Sequence, residues 1–402
     1  MTATALPRER AAETRNGNAA AGTPTPSSTP HTTPSPVLPY RVSVEEYRLF
    51  RQQGFLVVRG LVSPDEVAEL KQHTEDLMQG RLPEQQAKSM AERDVSQDTG
   101  VTGQGLEAPP AHLSPVEKAQ YFLRIHMLHR KLELHERYML HPRVLDVLQA
   151  IIGPDVLALQ TMLFLKPPGK PGQGWHQDSY YIPTHPDSLC GAWIAIDDAD
   201  ELNGAMWMAA GSQNEPVYPP HNGYGHGDRG LNDIKYVSNV SNPNDHENDL
   251  APIADRYPQL LVPAQAGDVV FFGGHVLHRS KKNFSDDRFR RAFVSHYCNA
   301  RSFTQWGADS PANDPHASPT VDPLTKMTNG SHILARGDTH LPFARPRFGT
   351  PCAALLSPDE RKAQGEFAQT MMGEMGSGMM GQIAADPNQK DNQDDAPGGG
   401  GY

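Results

Sequence analysis

The sequence predicts a mostly β domain, a barrel or a sandwich, buttressed by N-terminal helices. Three observations carry this. Helix-start signals and helical spacing of apolar residues crowd into residues 43–152. From Val156 onward, short apolar segments separated by turn residues take over, which is the pattern of strands. Gly153-Pro154 marks the change, and helices first with short strands later suits a sheet-based core.

Taken in order, Ser43 to Gln52 places Val44, Tyr47 and Phe50 on one helical face, and Gly54–Val58 reads as a short buried strand. Ser63-Pro64-Asp65-Glu66 is a helix start, with a cap residue, a proline in the first turn and a glutamate three after the cap. Ser114-Pro115-Val116-Glu117 repeats it. The polar, Gly/Pro-punctuated residues 80–112 between them read as a surface loop. Helical segments are expected up to Ile152, carrying His126, His129, His135 and His141. His126 and His129 would share a helix face, yet no carboxylate completes a ligand set, so packing or surface roles are expected. Strands are expected at Val156–Leu165, Trp175–Ile182, Gly191–Ile196, Ala205–Met208, Val269–Phe272 and Ala292–Tyr297.

The 402-residue chain has Pro-, Thr- and Ser-rich residues 1–38 and Gly-, Asp- and Asn-rich residues 373–402, both read as disordered tails. Residues 39–372 form the expected domain, with its core at 156–300 and a polar insert at 211–260 that suits a lid or binding loop. Met371, Met372, Met375, Met379 and Met380 read as part of a flexible tail. The net charge of -11 argues against nucleic acid as a partner. Three cysteines make no disulfide framework, no apolar run reaches membrane length, and no signal-peptide pattern opens the chain. The expectation is a cytoplasmic protein acting on a small molecule, without nucleic acid or membrane as partner.

One segment organises the functional reading. On a strand, residues two apart share a face, so His176-Gln177-Asp178 aims an imidazole and a carboxylate at one point. A redox-active Fe(II) site with open positions needs these donors and a further histidine. That histidine has to come from a distant strand, and Gly267–Ser280, with His275 and His278, is the candidate. A further His-x-Asp, His185-Pro186-Asp187, lies in a loop-like segment where the two side chains need not converge.

Five ordered segments add specificity: Leu165-Lys166-Pro167-Pro168-Gly169, Trp175-His176-Gln177-Asp178, the strand Gly267–Phe272, His278-Arg279-Ser280 and Phe289-Arg290-Arg291-Ala292. Together they resemble the phytanoyl-CoA dioxygenase family of Fe(II)/2-oxoglutarate oxygenases, over a span from about Val44 to Tyr297. The resemblance implies a double-stranded β-helix core, jelly-roll or cupin-like, with iron at one mouth. It implies His176, Asp178 and His278 as iron ligands, with His275 a pocket or supporting residue. Ser280 and Arg290 would hold the distal carboxylate of 2-oxoglutarate, a role suited to the planar fork of arginine. Gln160 would meet the co-substrate's other end, and Trp193 would form an aromatic wall. The segment ending at Phe289 looks a residue longer than the family's, which brings Arg288 and Arg291 into competition; Phe-Arg-Arg-Ala favours Arg290.

The implied reaction couples 2-oxoglutarate and O2 to oxidation of a small organic substrate, with release of succinate and CO2. Family halogenases carry a small residue where Asp178 stands, so the resemblance implies hydroxylation or another oxidation over halogenation. The alternatives are a non-catalytic metal-binding scaffold, which has no need of Arg290, and a cupin-like metalloenzyme that does not use 2-oxoglutarate.

Overall fold

The computed structural model describes residues 38–86, 93–94, 101–103, 108–218, 248, 250–302, 304, 332–339 and 344. The chain opens with α1 (Val44–Gln53), β1 (Phe55–Val58) and α2 (Pro64–Gln79). Local chemistry sets the helix starts. The Ser43 and Ser63 side chains accept from the backbone N–H groups of Glu46 and Glu66, whose carboxylates accept each cap residue's own N–H at 2.8 Å. Donors that the first helical turn leaves without intrahelical partners are thereby satisfied. Gly54 and Gly80, at φ of 84° and 70°, end the helices in a left-handed turn that any side chain would strain.

Next come α3 (Pro83–Gln86), β2 (Arg93–Asp94), β3 (Val101–Gly103), α4 (Pro115–Ala119), β4 (Phe122–His126), α5 (Glu133–Met139) and α6 (Pro142–Ile151). Here the structure corrects three expectations. Residues 80–112 hold α3 and the paired β2 and β3, not loop alone. The start signal at Ser114 forms its capping box but opens only the short α4. Phe122–His126 is strand, not helix: Arg124, Ile125 and His126 pair with Phe164, Leu163 and Met162. Phe122 and Ile125 are buried at a three-residue spacing that suits a helix. The exposed edge of a long neighbouring strand supplies the backbone partners that decide the outcome.

That strand is β5 (Val156–Lys166), followed by β6 (Gln173–His176), β7 (Cys190–Ala195), β8 (Met206–Ala209), α7 (Ala251–Ala254), β9 (Gln259–Val262), β10 (Val269–Gly273), β11 (His278–Ser280), β12 (Arg290–Asn299) and β13 (Ile333–Arg336). The larger sheet runs β1-β10-β7-β12-β5-β4-β3-β2, with β13 also on β5; the smaller runs β6-β11-β8-β9. Four antiparallel pairs nest inside one another along the chain: β8 with β9, β7 with β10, β6 with β11, and β5 with β12. Pairs β5–β12 and β7–β10 lie in one sheet and pairs β6–β11 and β8–β9 in the other. Nested pairing split between two sheets is the double-stranded β-helix, a jelly roll of cupin type.

Period-two alternation layers the core. On β10, Val269 and Phe271 face the helices, packing with Leu70, Leu145 and Leu148, while Val270 and Phe272 pack with Met206, Met208 and Val262 of the smaller sheet. Each fully buried side chain of this kind contributes about 1.5–3 kcal/mol. The strand expected at Trp175–Ile182 is shorter: β6 stops at His176, and Asp178–Tyr180 form a 3-10 turn. The described ends of the 211–260 insert hold α7 and the start of β9. Residues 219–247, residues 1–37 of the expected 1–38 tail, the expected tail at 373–402 and the methionine cluster lie outside the described residues.

Candidate active site

His176 is the last residue of β6 and His278 the first of β11, and the ladder sets them directly opposite each other. Their ring centroids are 4.0 Å apart. Asp178 opens the 3-10 turn just beyond β6. Its Oδ1 lies 3.7 Å from His176 Nε2 and 3.6 Å from His278 Nε2. The three donor atoms fall within 4.8 Å of one another, the spacing of a metal-binding group.

The surroundings put each donor in its ligand state. His176 Nδ1 meets the Gly174 carbonyl at 2.8 Å and His278 Nδ1 the Val276 carbonyl at 2.9 Å. An Nδ1–H that donates to a carbonyl leaves the Nε2 lone pair free for a metal. Burial, reinforced by His278, pulls the His176 pKa down to about 3, so its ring is neutral at working pH. Burial pushes the Asp178 carboxyl up, but the surrounding histidines outweigh it and hold the group below the usual carboxylate range. Asp178 Oδ2 meets His296 Nε2 at 2.8 Å, and His296 Nδ1 meets Gln160 Nε2 at 2.9 Å. The amide of Gln160 donates to Nδ1, which places the His296 proton on Nε2, facing the carboxylate. Two imidazoles and a carboxylate that leave coordination positions open suit Fe(II).

A cationic slot adjoins the donors. Arg290 begins β12, is 3% exposed, and lines the same cavity as the triad. Its guanidinium carbon sits 5.8 Å from the Trp193 ring and 6.0 Å from Phe164. Burial lowers its pKa to about 10, so it stays charged at neutral pH, and its Nε has no partner among the described residues. Among the described residues no carboxylate pairs with it. Arg291 turns to the other face, donating to Asp197 at 2.7 and 2.8 Å and to Glu75 at 3.2 Å. Arg288 pairs with Asp200 at 2.7 Å near the surface. A buried cation without an acid is costly and fits the carboxylate of a bound ligand. Ser280 also lines the cavity.

A family model described as Phytanoyl-CoA dioxygenase (PhyH) matches residues 50–292. The chain belongs to the phytanoyl-CoA dioxygenase family. It is 28% identical over 262 residues to the peroxisomal phytanoyl-CoA dioxygenase of Rattus norvegicus, covering 64% of this chain and 68% of that one. Over 288 residues it is 26% identical to the phytanoyl-CoA dioxygenase domain-containing protein 1 of Danio rerio, covering 66% of this chain and 93% of the relative. Among solved structures, the non-heme alpha-ketoglutarate-dependent carbocyclase SnoK from nogalamycin biosynthesis aligns at 20% identity and a TM-score of 0.47, over 67% of this chain and 90% of that chain. That overlap is too loose to argue chemistry from. Family membership and the donor set together make the protein an iron oxidoreductase with 2-oxoglutarate and O2 as co-substrates.

Within this phytanoyl-CoA dioxygenase fold, His176, Asp178, His278, Ser280, Arg290 and Trp193 all line one cavity. Gln160 does not: it stands behind His296 and supports the ring. His275 is held away from the triad, with Nδ1 2.7 Å from the Glu215 carbonyl and Nε2 3.3 Å from Asp187. Sequence reasoning missed His296 and Lys166. The signal for His296 is its even spacing from Arg290 along β12, which puts both on the inner face. Lys166 sits inside the Leu165–Gly169 motif and pairs with Arg290 across the ladder. No helix among the described residues is long and apolar enough to cross a membrane.

Proposed function

We propose that this protein is an Fe(II)/2-oxoglutarate-dependent hydroxylase of a small organic substrate. The observation that carries the reading is Arg290, a buried, charged guanidinium in the same cavity as three convergent metal donors and without an acidic partner among the described residues. In this reading His176, Asp178 and His278 hold the iron, while Arg290 and Ser280 hold the distal carboxylate of 2-oxoglutarate. The bound iron and co-substrate supply O2 activation coupled to oxidative decarboxylation. The chain's own residues supply orientation and dryness. Met162, Phe164, Trp193, Met206, Phe272 and Val294 wall the cavity with apolar surface, which keeps water from the reacting atoms. His296 and Gln160 fix the rotation of the Asp178 carboxylate. A scaffold needs no such cation, and a cupin-like enzyme without 2-oxoglutarate leaves Arg290 unexplained.

The test is O2 uptake and succinate release by purified, Fe(II)-loaded protein with 2-oxoglutarate, across a panel of metabolites. Substrate-stimulated succinate with one oxygen atom gained by the product is the expected result. Succinate without oxygen insertion would replace hydroxylation by another oxidation, and no 2-oxoglutarate-dependent O2 uptake with any substrate would overturn the reading. Cytoplasmic residence is part of the proposal, resting on composition, and cell fractionation checks it.

A further inference from the structure

Ser280 lines the slot, and its hydroxyl is engaged from behind by a buried lysine that the reading above leaves without a role. Lys166 is the last residue of β5, is buried, and lies opposite Arg290 in the ladder. Its Nζ is 2.9 Å from Ser280 Oγ, 2.7 Å from the Lys281 carbonyl and 3.4 Å from the Gly204 carbonyl. Burial and the nearby Arg290 guanidinium pull the Lys166 pKa well below the ordinary lysine value; in its protonated form Nζ has three N–H donors and no acceptor, and these three contacts use all of them. In that form Ser280 Oγ accepts from Lys166. It also accepts from the Gln173 backbone N–H at 3.3 Å. A hydroxyl oxygen has two acceptor lone pairs, and both are now taken. No acceptor for its proton is present among the described residues, which leaves it the cavity that Ser280 lines. The fold makes room for this lysine: a Cβ on Gly204, which has φ of +82°, would come 3.0 Å from Lys166 Nζ and 2.6 Å from the Lys281 carbonyl.

We propose that Lys166 is a positioning residue for the co-substrate, fixing Ser280 as an obligate hydrogen-bond donor to the distal carboxylate of 2-oxoglutarate. This rests on the 2-oxoglutarate reading above. Without Lys166, the Ser280 hydroxyl loses a fixed donor and is free to turn its proton away from the cavity and to present lone pairs to the carboxylate. With it, the slot offers two fixed donors, the guanidinium of Arg290 and the hydroxyl of Ser280, to the two oxygens of one carboxylate. Lys166 does not line the cavity, so it acts through Ser280 and not by touching the ligand.

The test is an anaerobic titration of Fe(II)-loaded protein, read from the charge-transfer absorption of the iron–oxoacid complex, with 2-oxoglutarate and with pyruvate. Pyruvate keeps the chelating end and lacks the distal carboxylate. The parent should bind 2-oxoglutarate far more tightly; equal binding would overturn the 2-oxoglutarate reading itself. Lys166→Met should weaken 2-oxoglutarate about tenfold to a hundredfold, the range for a hydrogen bond to a charged group, and leave pyruvate within about twofold. Equal loss for both acids would place the effect on the metal or the fold, and unchanged 2-oxoglutarate binding would remove the role; either overturns the proposal. Ser280→Ala should weaken 2-oxoglutarate by itself, and adding Lys166→Met to it should cost little more. Additive losses would show that Lys166 acts independently of Ser280, again overturning it. Should Lys166→Met fail to fold, Lys166→Gln enters the same cycle: its weakening of 2-oxoglutarate must vanish in the Ser280→Ala background.

Discussion

Among the described residues two His-x-Asp tripeptides stand close together, and the fold treats them in opposite ways. His176-Gln177-Asp178 is buried, and its carboxylate side chain is 12% exposed. His185-Pro186-Asp187 is exposed, and the Asp187 side chain is 52% exposed. The difference does not lie in the tripeptide. β11 delivers His278 opposite His176, and β12 delivers His296 behind Asp178. Among the described residues, Asp187 receives His275, Ser179 and Thr184 at distances of 3.3 to 3.5 Å. A ligand pair is made by what the neighbouring strands bring to it.

The largest effects should come from the buried pair and its partner. Alanine at His176, Asp178 or His278 is expected to abolish Fe(II)-dependent turnover and to lower bound iron, with the circular-dichroism spectrum retained. Full activity in any of the three would break the comparison at its root. Next stands Arg290, the buried cation in the same cavity as the His176 pair. Arg290→Ala should raise the dissociation constant for 2-oxoglutarate by an amount worth about 2–5 kcal/mol, with Arg290→Lys losing less. Isothermal titration on metal-loaded protein measures it, and Arg291→Ala should leave that constant near the parent's because its partners are Asp197 and Glu75.

A smaller loss is expected behind the carboxylate. His296→Ala leaves Asp178 Oδ2 without its donor, and removing such a support typically costs about 10–100-fold in metal affinity. Competition with a chelator reads this, and His296→Gln, which can still donate, should recover part of it. Unchanged affinity would mean that the ligand set alone distinguishes the two tripeptides. Smallest of all, His185→Ala and Asp187→Ala should each stay within about 0.5 kcal/mol of the parent in stability, as exposed positions usually do, and leave turnover unchanged; inactivation by either would reverse the assignment.

Much of this was legible in the chain itself, and the exceptions have physical causes. The inner face of β12 could be counted from Phe-Arg-Arg-Ala, because strand alternation forces Arg290 and Arg291 apart. The strand character of β4 was not legible: its partner, β5, is supplied by tertiary structure, and a short apolar segment spaced three apart suits a helix equally well. The family resemblance puts Gln160 at the co-substrate's other end, and its inner-face position on β5 does not by itself contradict that. Inner faces hold supporting residues as well as contacts, and only the position of His296 on the neighbouring strand separates the two. Lys166 was quoted inside a motif yet given no task, since a buried lysine reveals its purpose only through the hydroxyl it holds.

The smaller sheet ends at β6, a four-residue strand with β11 as its one neighbour among the described residues, matched at only two positions with an irregularity between them. Such a margin ought to fray. One of its two matched positions is the His176–His278 pair, so an ion shared by the two rings would clasp the margin to the sheet as well as serve the reaction. Amide protons of Gln173 to His176 should therefore exchange faster in metal-free protein than in metal-loaded protein, even with an inert ion such as Zn²⁺ and no turnover at all. In this architecture the reactive centre doubles as the hem of the sheet that carries it.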